Sequence, residues 1–396
     1  MFFQSVLVYC SLMFIMMFFS VIAAKKANSY ILDNGNLTVK RSFWKLEIIF
    51  PILLFAIIMG MRYDVGVDYL TYLNNYLYKN YSGKGEVLFN LFSDVGWLFN
   101  FHFVYFFTAI AFTQILFFFL AFKDERYLYP LLIFFLFTTG NFLFWMNVLR
   151  QALALCIWLY ALKFIETKKP YIYFAICLAI FMVHRSSVIL FIFYPILRNG
   201  KDYFASIKLQ LVLFLSAFVF EQLFFSLLMK FENIISFYTS LLGDGLYNSY
   251  SINNLVQEFS ESKGSGFAVY FKILLNLIII FYSVRLKKFY NSNRFIIIYF
   301  FFFLGVITTY IFPEGAISLS RPFRYFYIFQ PIMYAYFLYY LYKKRKSETN
   351  FLLFSGLLLI FMGIFILSQS SATKDSHSLY QFYFQKKYLS KYPIRF

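Results

Sequence analysis

Residues 170–197 read PYIYFAICLAIFMVHRSSVILFIFYPIL, apolar throughout except for a polar step at His184-Arg185-Ser186-Ser187. A helix rises about 1.5 Å per residue, so roughly 20 residues cross the hydrocarbon core of a bilayer. This stretch is long for one span and short for two. Read as one, it sends Arg285, Lys287, Lys288 and Arg294 to the outer face and turns the other late loops against the positive-inside tendency. Read as two short helices meeting at His184-Arg185-Ser186, it returns those charges to the inside. The hairpin is the reading adopted, and it sets the sidedness of everything after it.

Outward from the hairpin, apolar runs fall at 2–24, 43–61, 103–122, 127–146, 148–165, 205–226, 267–285, 295–312, 325–342 and 351–369. With the two arms of the hairpin they predict an all-α, polytopic transmembrane helix bundle of about 12 spans, both termini outside. Hydrophobic residues make up 61% of the 396 and charged residues 14%, against about 25% charged in a soluble domain. No polar stretch is long enough for a separate soluble domain, so residues 1–396 read as a single integral membrane domain. The outer segments are then 62–102, 227–266, 313–324 and 370–396.

The formal net charge is +18, but the Lys and Arg are spread over short loops, which points to topology and membrane lipids and away from nucleic acid. Residues 2–24 lack a preceding basic residue and are followed by Lys25-Lys26, the pattern of an uncleaved first span. Cys10, Cys156 and Cys177 sit in apolar runs without metal-ligand spacing, so neither a disulfide nor a metal site is expected. In the first outer segment, 69–78 and 87–101 place aromatic residues between polar ones, as interfacial or re-entrant helices do. No internal repeat is evident, which weighs against a transporter.

The chemistry gathers at the outer ends. Arg62, Arg150, Arg185, Arg321 and Arg324 all lie there in this topology, where the positive-inside tendency leaves few positive charges. Either they snorkel to headgroups and pair with acids, or they bind an anion; a guanidinium is a planar fork suited to phosphate. Asn147, Ser186, and Ser320 with Pro322 are placed to start the spans beside Arg150, Arg185 and Arg321, and helix starts favour anions. Arg321 and Arg324, three apart, share a face if their turn is helical.

Asp64 and Asp68 are four apart. Asp64 is a counter-ion for an arginine or a site residue; Asp68 is also placed to bind a sugar hydroxyl or take its proton, and His184 is a second candidate base. Glu221, Lys272 and Glu314 read as loop or interfacial groups. Tyr247, Tyr250 and Phe259 stack on sugars or anchor their loop at the interface.

Several elements in order carry a resemblance. Arg62 to Tyr69 followed by Tyr72 resembles the R-x-x-x-G-x-D-Y-x-x-Y element of EpsG-like, Wzy-type polysaccharide polymerases. The stretch Asn147-Val148-Leu149-Arg150-Gln151-Ala152-Leu153-Ala154 is similar to that family's N-x-x-R-Q-x-x-A. His184-Arg185-Ser186 is similar to its H-x-S, and Arg321-Pro322-Phe323-Arg324-Tyr325 to its late arginine-tyrosine element. The similarity runs from about residue 45 to 342, with Ser187 a departure where relatives have a smaller residue.

The resemblance implies a GT-C-like glycosyltransferase of the bacterial plasma membrane, working at its outer face without metal or other cofactor. A growing glycan would pass from undecaprenyl diphosphate onto the non-reducing end of a new lipid-linked repeat unit. Asp68, His184 and Arg150 would be catalytic, while Arg62, Asp64, Arg185, Arg321, Arg324 and Tyr325 would hold diphosphate and sugar. Lipid-linked oligosaccharide donor and acceptor are the implied partners, with a chain-length regulator protein and a flippase beyond them. An O-antigen ligase would use the same anion site with another acceptor, whereas a flippase would place its charges near the midplane.

Overall fold

The computed structural model of the chain describes residues 2–33, 42–79, 86–230, 266–312, 320–370 and 378–385, with the backbone alone at 2, 28–33 and 221–230. Lys40-Arg41, Glu314, Tyr247, Tyr250, Phe259, the Glu221 side chain and most of the segments 227–266, 313–324 and 370–396 lie outside the described residues.

Every described segment of any length is helical. The elements are α1 (Phe2–Asp33), α2 (Leu46–Gly60), α3 (Tyr69–Tyr78), α4 (Val87–Leu98), α5 (Phe103–Ala121), α6 (Tyr129–Thr138), α7 (Asn141–Asn147), α8 (Leu149–Glu166), α9 (Pro170–Val183), α10 (Phe193–Leu197) and α11 (Ile207–Lys230). They continue with α12 (Phe267–Tyr290), α13 (Asn293–Ile311), α14 (Arg324–Tyr327), α15 (Phe329–Lys343) and α16 (Glu348–Ser370). Each expected apolar span lies on helix. By length and composition, five qualify to cross a membrane: Phe3–Ala27, Phe103–Ala121, Phe267–Tyr290, Asn293–Ile311 and Glu348–Ser370. A sixth is the pair Arg126–Thr138 and Asn141–Asn147 if the 64° bend between them is one broken span. Others, such as α2 and α9, are apolar but shorter.

The chain reverses at His184, whose extended backbone (φ −154°, ψ 114°) stops α9. The return arm is a 3-10 helix, Arg185–Ile192, running into α10. A 3-10 helix rises about 2.0 Å per residue, so this arm covers the length of α9 with fewer residues. Tyr173 on α9 locks the two together, donating its hydroxyl to the Leu190 carbonyl at 2.7 Å and accepting from the Trp158 indole at 3.2 Å.

Packing runs α2 on α5, α5 on α8 and α8 on α9, with α1 across α2 and α6, and a second group of α11, α13 and α15. Phenylalanine and tyrosine fill the interior. Trp158, fully buried, meets Phe301 edge-on at 4.8 Å and Phe329 at 5.6 Å, joining α8 to the second group. At the end carrying the basic loops, Arg294 Nε reaches Glu125 Oε2 at 2.6 Å while Tyr336 donates to Glu125 Oε1 at 2.5 Å. Lys287 pairs with Asp202 at 2.8 Å nearby.

Residues 378–385 form a strap at the opposite end. Tyr380 takes the Ser5 hydroxyl oxygen on its N–H at 2.7 Å and donates its own hydroxyl to the Ile58 carbonyl at 2.6 Å. An isolated antiparallel bridge joins Arg62 to Phe382, and the Tyr63 and Tyr383 N–H groups donate to Gln381 and Met61 carbonyls. The strap thus holds α1 and the loop after α2 together.

Candidate functional site

Glu86 is the residue on which the cluster of Arg150 and His184 turns. It stands immediately before α4, 3% exposed. One carboxylate oxygen takes a hydrogen bond from His184 Nδ1 at 2.8 Å, and the other pairs with the Arg150 guanidinium in the first turn of α8. Arg150 lies over the Tyr72 ring, 5.6 Å from its centroid, and its Nε reaches the Tyr72 hydroxyl at 3.5 Å. A recess beside Arg150 between Tyr72, Asn75, Asn90 and Ser93 holds about 10 Å³.

Burial pushes the Glu86 carboxyl up, but the hydrogen bond from His184 and the charge of Arg150 outweigh it, so its pKa lies below the ordinary carboxylate value. Burial pushes His184 down; the bond to Glu86 opposes this, and Arg150 and Arg321 add to the depression, leaving its pKa below that of a free imidazole. An ionised carboxylate only accepts, so Nδ1 carries the proton and Nε2 the lone pair. Nε2 is buried and has no hydrogen-bond partner among the described residues.

The structure brings Arg150, His184 and Arg321 together. Arg321 bears electrostatically on His184, and its carbonyl accepts from Gln151 Nε2 at 2.6 Å. Tyr325 is fully buried beneath them, its hydroxyl 3.3 Å from Ser186 Oγ. Half-buried Arg185 follows His184 at the start of the 3-10 arm. Arg324 instead donates Nε to Ser320 Oγ at 3.3 Å and lines a separate cleft.

The 62–69 loop is docked on the end of α7. Gly66 (φ 99°) packs so close that an added Cβ would lie 3.0 Å from Asn147 Cα, and the Asp68 N–H donates to Asn147 Oδ1 at 3.0 Å. Two stretches that the sequence reading treated separately are thus one surface. Asp68 is half-buried and bears electrostatically on Tyr72. Asp64 holds a left-handed backbone, φ 54°.

Arg62 stands apart. Its guanidinium is fully buried, donating to the Met59 carbonyl and, at 3.3 Å, to that of Met146, with the Phe107 ring 4.9 Å away. Those carbonyls end α2 and α7, where a cation meets the negative pole of the helix.

The expected helix caps are not made. Asn147 ends α7 and serves the Asp68 backbone, while Val148 precedes α8 without a side-chain cap. Ser320 does stand at the N-cap position with Pro322 in the first turn, but its side chain makes no cap bond; Ser186 lies inside the turn that begins at Arg185, and both turns are 3-10. Their hydroxyls pair with Tyr325 and Arg324 instead, because those longer side chains reach them first.

Sequence reasoning missed Glu86. Its available signal was position: a glutamate opening an apolar helix in the expected outer segment that already held Arg62.

No curated protein and no solved structure matches the chain. The EpsG family model matches residues 45–383, which take in Glu86, Arg150, His184, Arg321 and most of the strap. With the ordered motifs and the site they assemble, that match means the chain belongs to the EpsG family.

Proposed function

We propose that this protein is a polysaccharide polymerase that moves a growing glycan from undecaprenyl diphosphate onto the non-reducing end of a new lipid-linked repeat unit. Family membership points to a membrane protein of polysaccharide-polymerase type with glycosyltransferase-like activity. The observation that carries the finer reading is Glu86, a buried carboxylate holding His184 in the tautomer whose Nε2 accepts a proton, beside two arginines.

In this reading His184 Nε2 takes the proton of the acceptor hydroxyl. The acceptor oxygen bonds to the anomeric carbon of the donor, and the bond from that carbon to the diphosphate breaks with its electron pair. Arg150 and Arg321 stabilise the charge developing on the departing diphosphate. Glu86 stays ionised and balances the imidazolium that forms. Asp68 and Tyr72 position the acceptor, and the docked loop over Asn147 holds them to the base of α8. In this reading the chain is a twelve-span, GT-C-like bundle with this end at the outer face of a bacterial plasma membrane and α3 and α4 lying along that face.

The test is genetic. The gene is deleted in its host and restored as wild type or as Glu86→Gln, and the surface glycan is resolved by length with protein level checked by blot. Deletion leaving single-repeat glycan, with no ladder restored by Glu86→Gln at normal abundance, supports both polymerisation and the role of Glu86. An intact ladder after deletion overturns the reading, and complete loss of surface glycan points to export.

A further inference from the structure

Beside the transfer centre a cleft of about 350 Å³ opens between α6, α7, α12, α13 and α15, a volume in the range of small-molecule sites. Lys272 and Arg324 line it, and none of its described lining residues is acidic. Lys272 lies on α12, a helix apolar enough to cross a membrane, and makes no hydrogen bond or ion pair among the described residues. An ammonium in such a helix costs free energy unless something compensates it, and its presence marks a functional position.

Two further observations point to a ligand. The break between α6 and α7 faces this cleft: Gly140 (φ 76°) turns the chain by 64°, and flanking Thr139 and Asn141 line it. Interrupted helices at membrane depth are tolerated where they border a cavity. The floor is a connected set of amides and hydroxyls. Gln330 donates to Thr309 Oγ1 at 2.9 Å, and the lining hydroxyls of Tyr310 and Tyr334 are joined from behind by buried Asn276, which donates to the first at 3.1 Å and accepts from the second at 2.9 Å. Such a floor offers fixed donors and acceptors to a polyhydroxyl ligand.

We infer that this cleft binds the head of a lipid-linked sugar, Lys272 and Arg324 holding its phosphate and the floor around Gln330 meeting its hydroxyls. This rests on the polymerase reading above, which requires two lipid-linked chains at once. Placement agrees: Ser320 lines the cleft and the next residue, Arg321, bears on His184. A phospholipid headgroup would offer the same phosphate chemistry, but without a sugar it leaves the amide and hydroxyl floor unused.

The test is binding without turnover. Full-length protein in phosphatidylcholine nanodiscs is titrated by native mass spectrometry with undecaprenyl-diphosphate N-acetylglucosamine, undecaprenyl diphosphate or phosphatidylglycerol. The glycosylated diphosphate binds tightest, Lys272→Gln weakens it about tenfold, as loss of a charge-assisted contact does, and Lys272→Arg restores it. Thr309→Val weakens the glycosylated lipid and spares the bare diphosphate. Equal binding of phosphatidylglycerol, or a Lys272→Gln protein that binds as wild type, overturns the assignment. Normal glycan extension by Glu86→Gln would sink the transfer centre while leaving this binding result to stand or fall separately.

Discussion

Two glutamate-arginine clusters mark the two ends of this bundle, and they differ in what is left over. At the basic-loop end Glu125 gives one oxygen to Arg294 and the other to Tyr336, and the Arg294 guanidinium also reaches the Ala121 carbonyl. That cluster is closed. At the other end Glu86 is equally committed, to Arg150 and His184, but His184 ends in a buried nitrogen without a partner among the described residues. The bond to Glu86 fixes the imidazole through Nδ1, so the fold holds His184 Nε2 apart from the ionic pair. On the proposed reading, the same ionic chemistry serves as a staple at one end and as a reactive centre at the other.

Matched substitutions break or sharpen this contrast. Glu86→Gln removes the charge that orients and balances His184, and glycan extension per folded molecule falls about 100-fold or more, the range of general-base catalysis. Equal turnover by wild type and variant would erase the distinction between the ends. Glu125→Gln leaves Arg294 buried without its counter-ion at a cost of about 3–5 kcal/mol. The effect shows as a lowered unfolding midpoint in detergent, while extension per folded molecule is retained.

Acidity separates the ends next. Because burial, Arg150 and Arg321 hold the His184 pKa below the ordinary value of about 6.5, the imidazole is neutral at pH 7. Extension therefore persists at pH 6.5 and is lost only as the pH falls through the depressed pKa. A half-maximal point at or above the ordinary imidazole value, read from initial rates across pH, would remove His184 as the base. The smallest effect belongs to Tyr380→Phe, which deletes the hydrogen bond to the Ile58 carbonyl and lowers stability by about 1 kcal/mol, measured as a denaturant midpoint.

Periodic features were legible in the sequence. Helix stands at each of the apolar runs, and the polar step at His184 marks the reversal of the chain, because helix formation and chain breaks are written locally. The ordered motifs also led to the family. Glu86 had no such signature: a single carboxylate gains its meaning only from Arg150 and His184, 64 and 98 residues away in the chain. The caps assigned to Asn147, Ser186 and Ser320 failed for the same reason, since a local rule cannot see that a distant backbone or a long side chain competes for the oxygen. That Lys272, a loop or interfacial residue by sequence, lines one cleft with the break at Gly140 and with Gln330 is visible only in three dimensions.

The strap sets a schedule. Tyr380 and its partner Ile58 are 322 residues apart, and chains are made N-terminus first at about 5–20 residues per second. Roughly 15–60 s therefore separate synthesis of the segment around Arg62 from synthesis of the residues that close it. A protein stopped before residue 378 is therefore a bundle without its clasp at the Arg62 end. Protease accessibility of 62–69 in a chain ending at residue 370, compared with the full chain, reads that clasp directly, and the full-length protein should be the protected one.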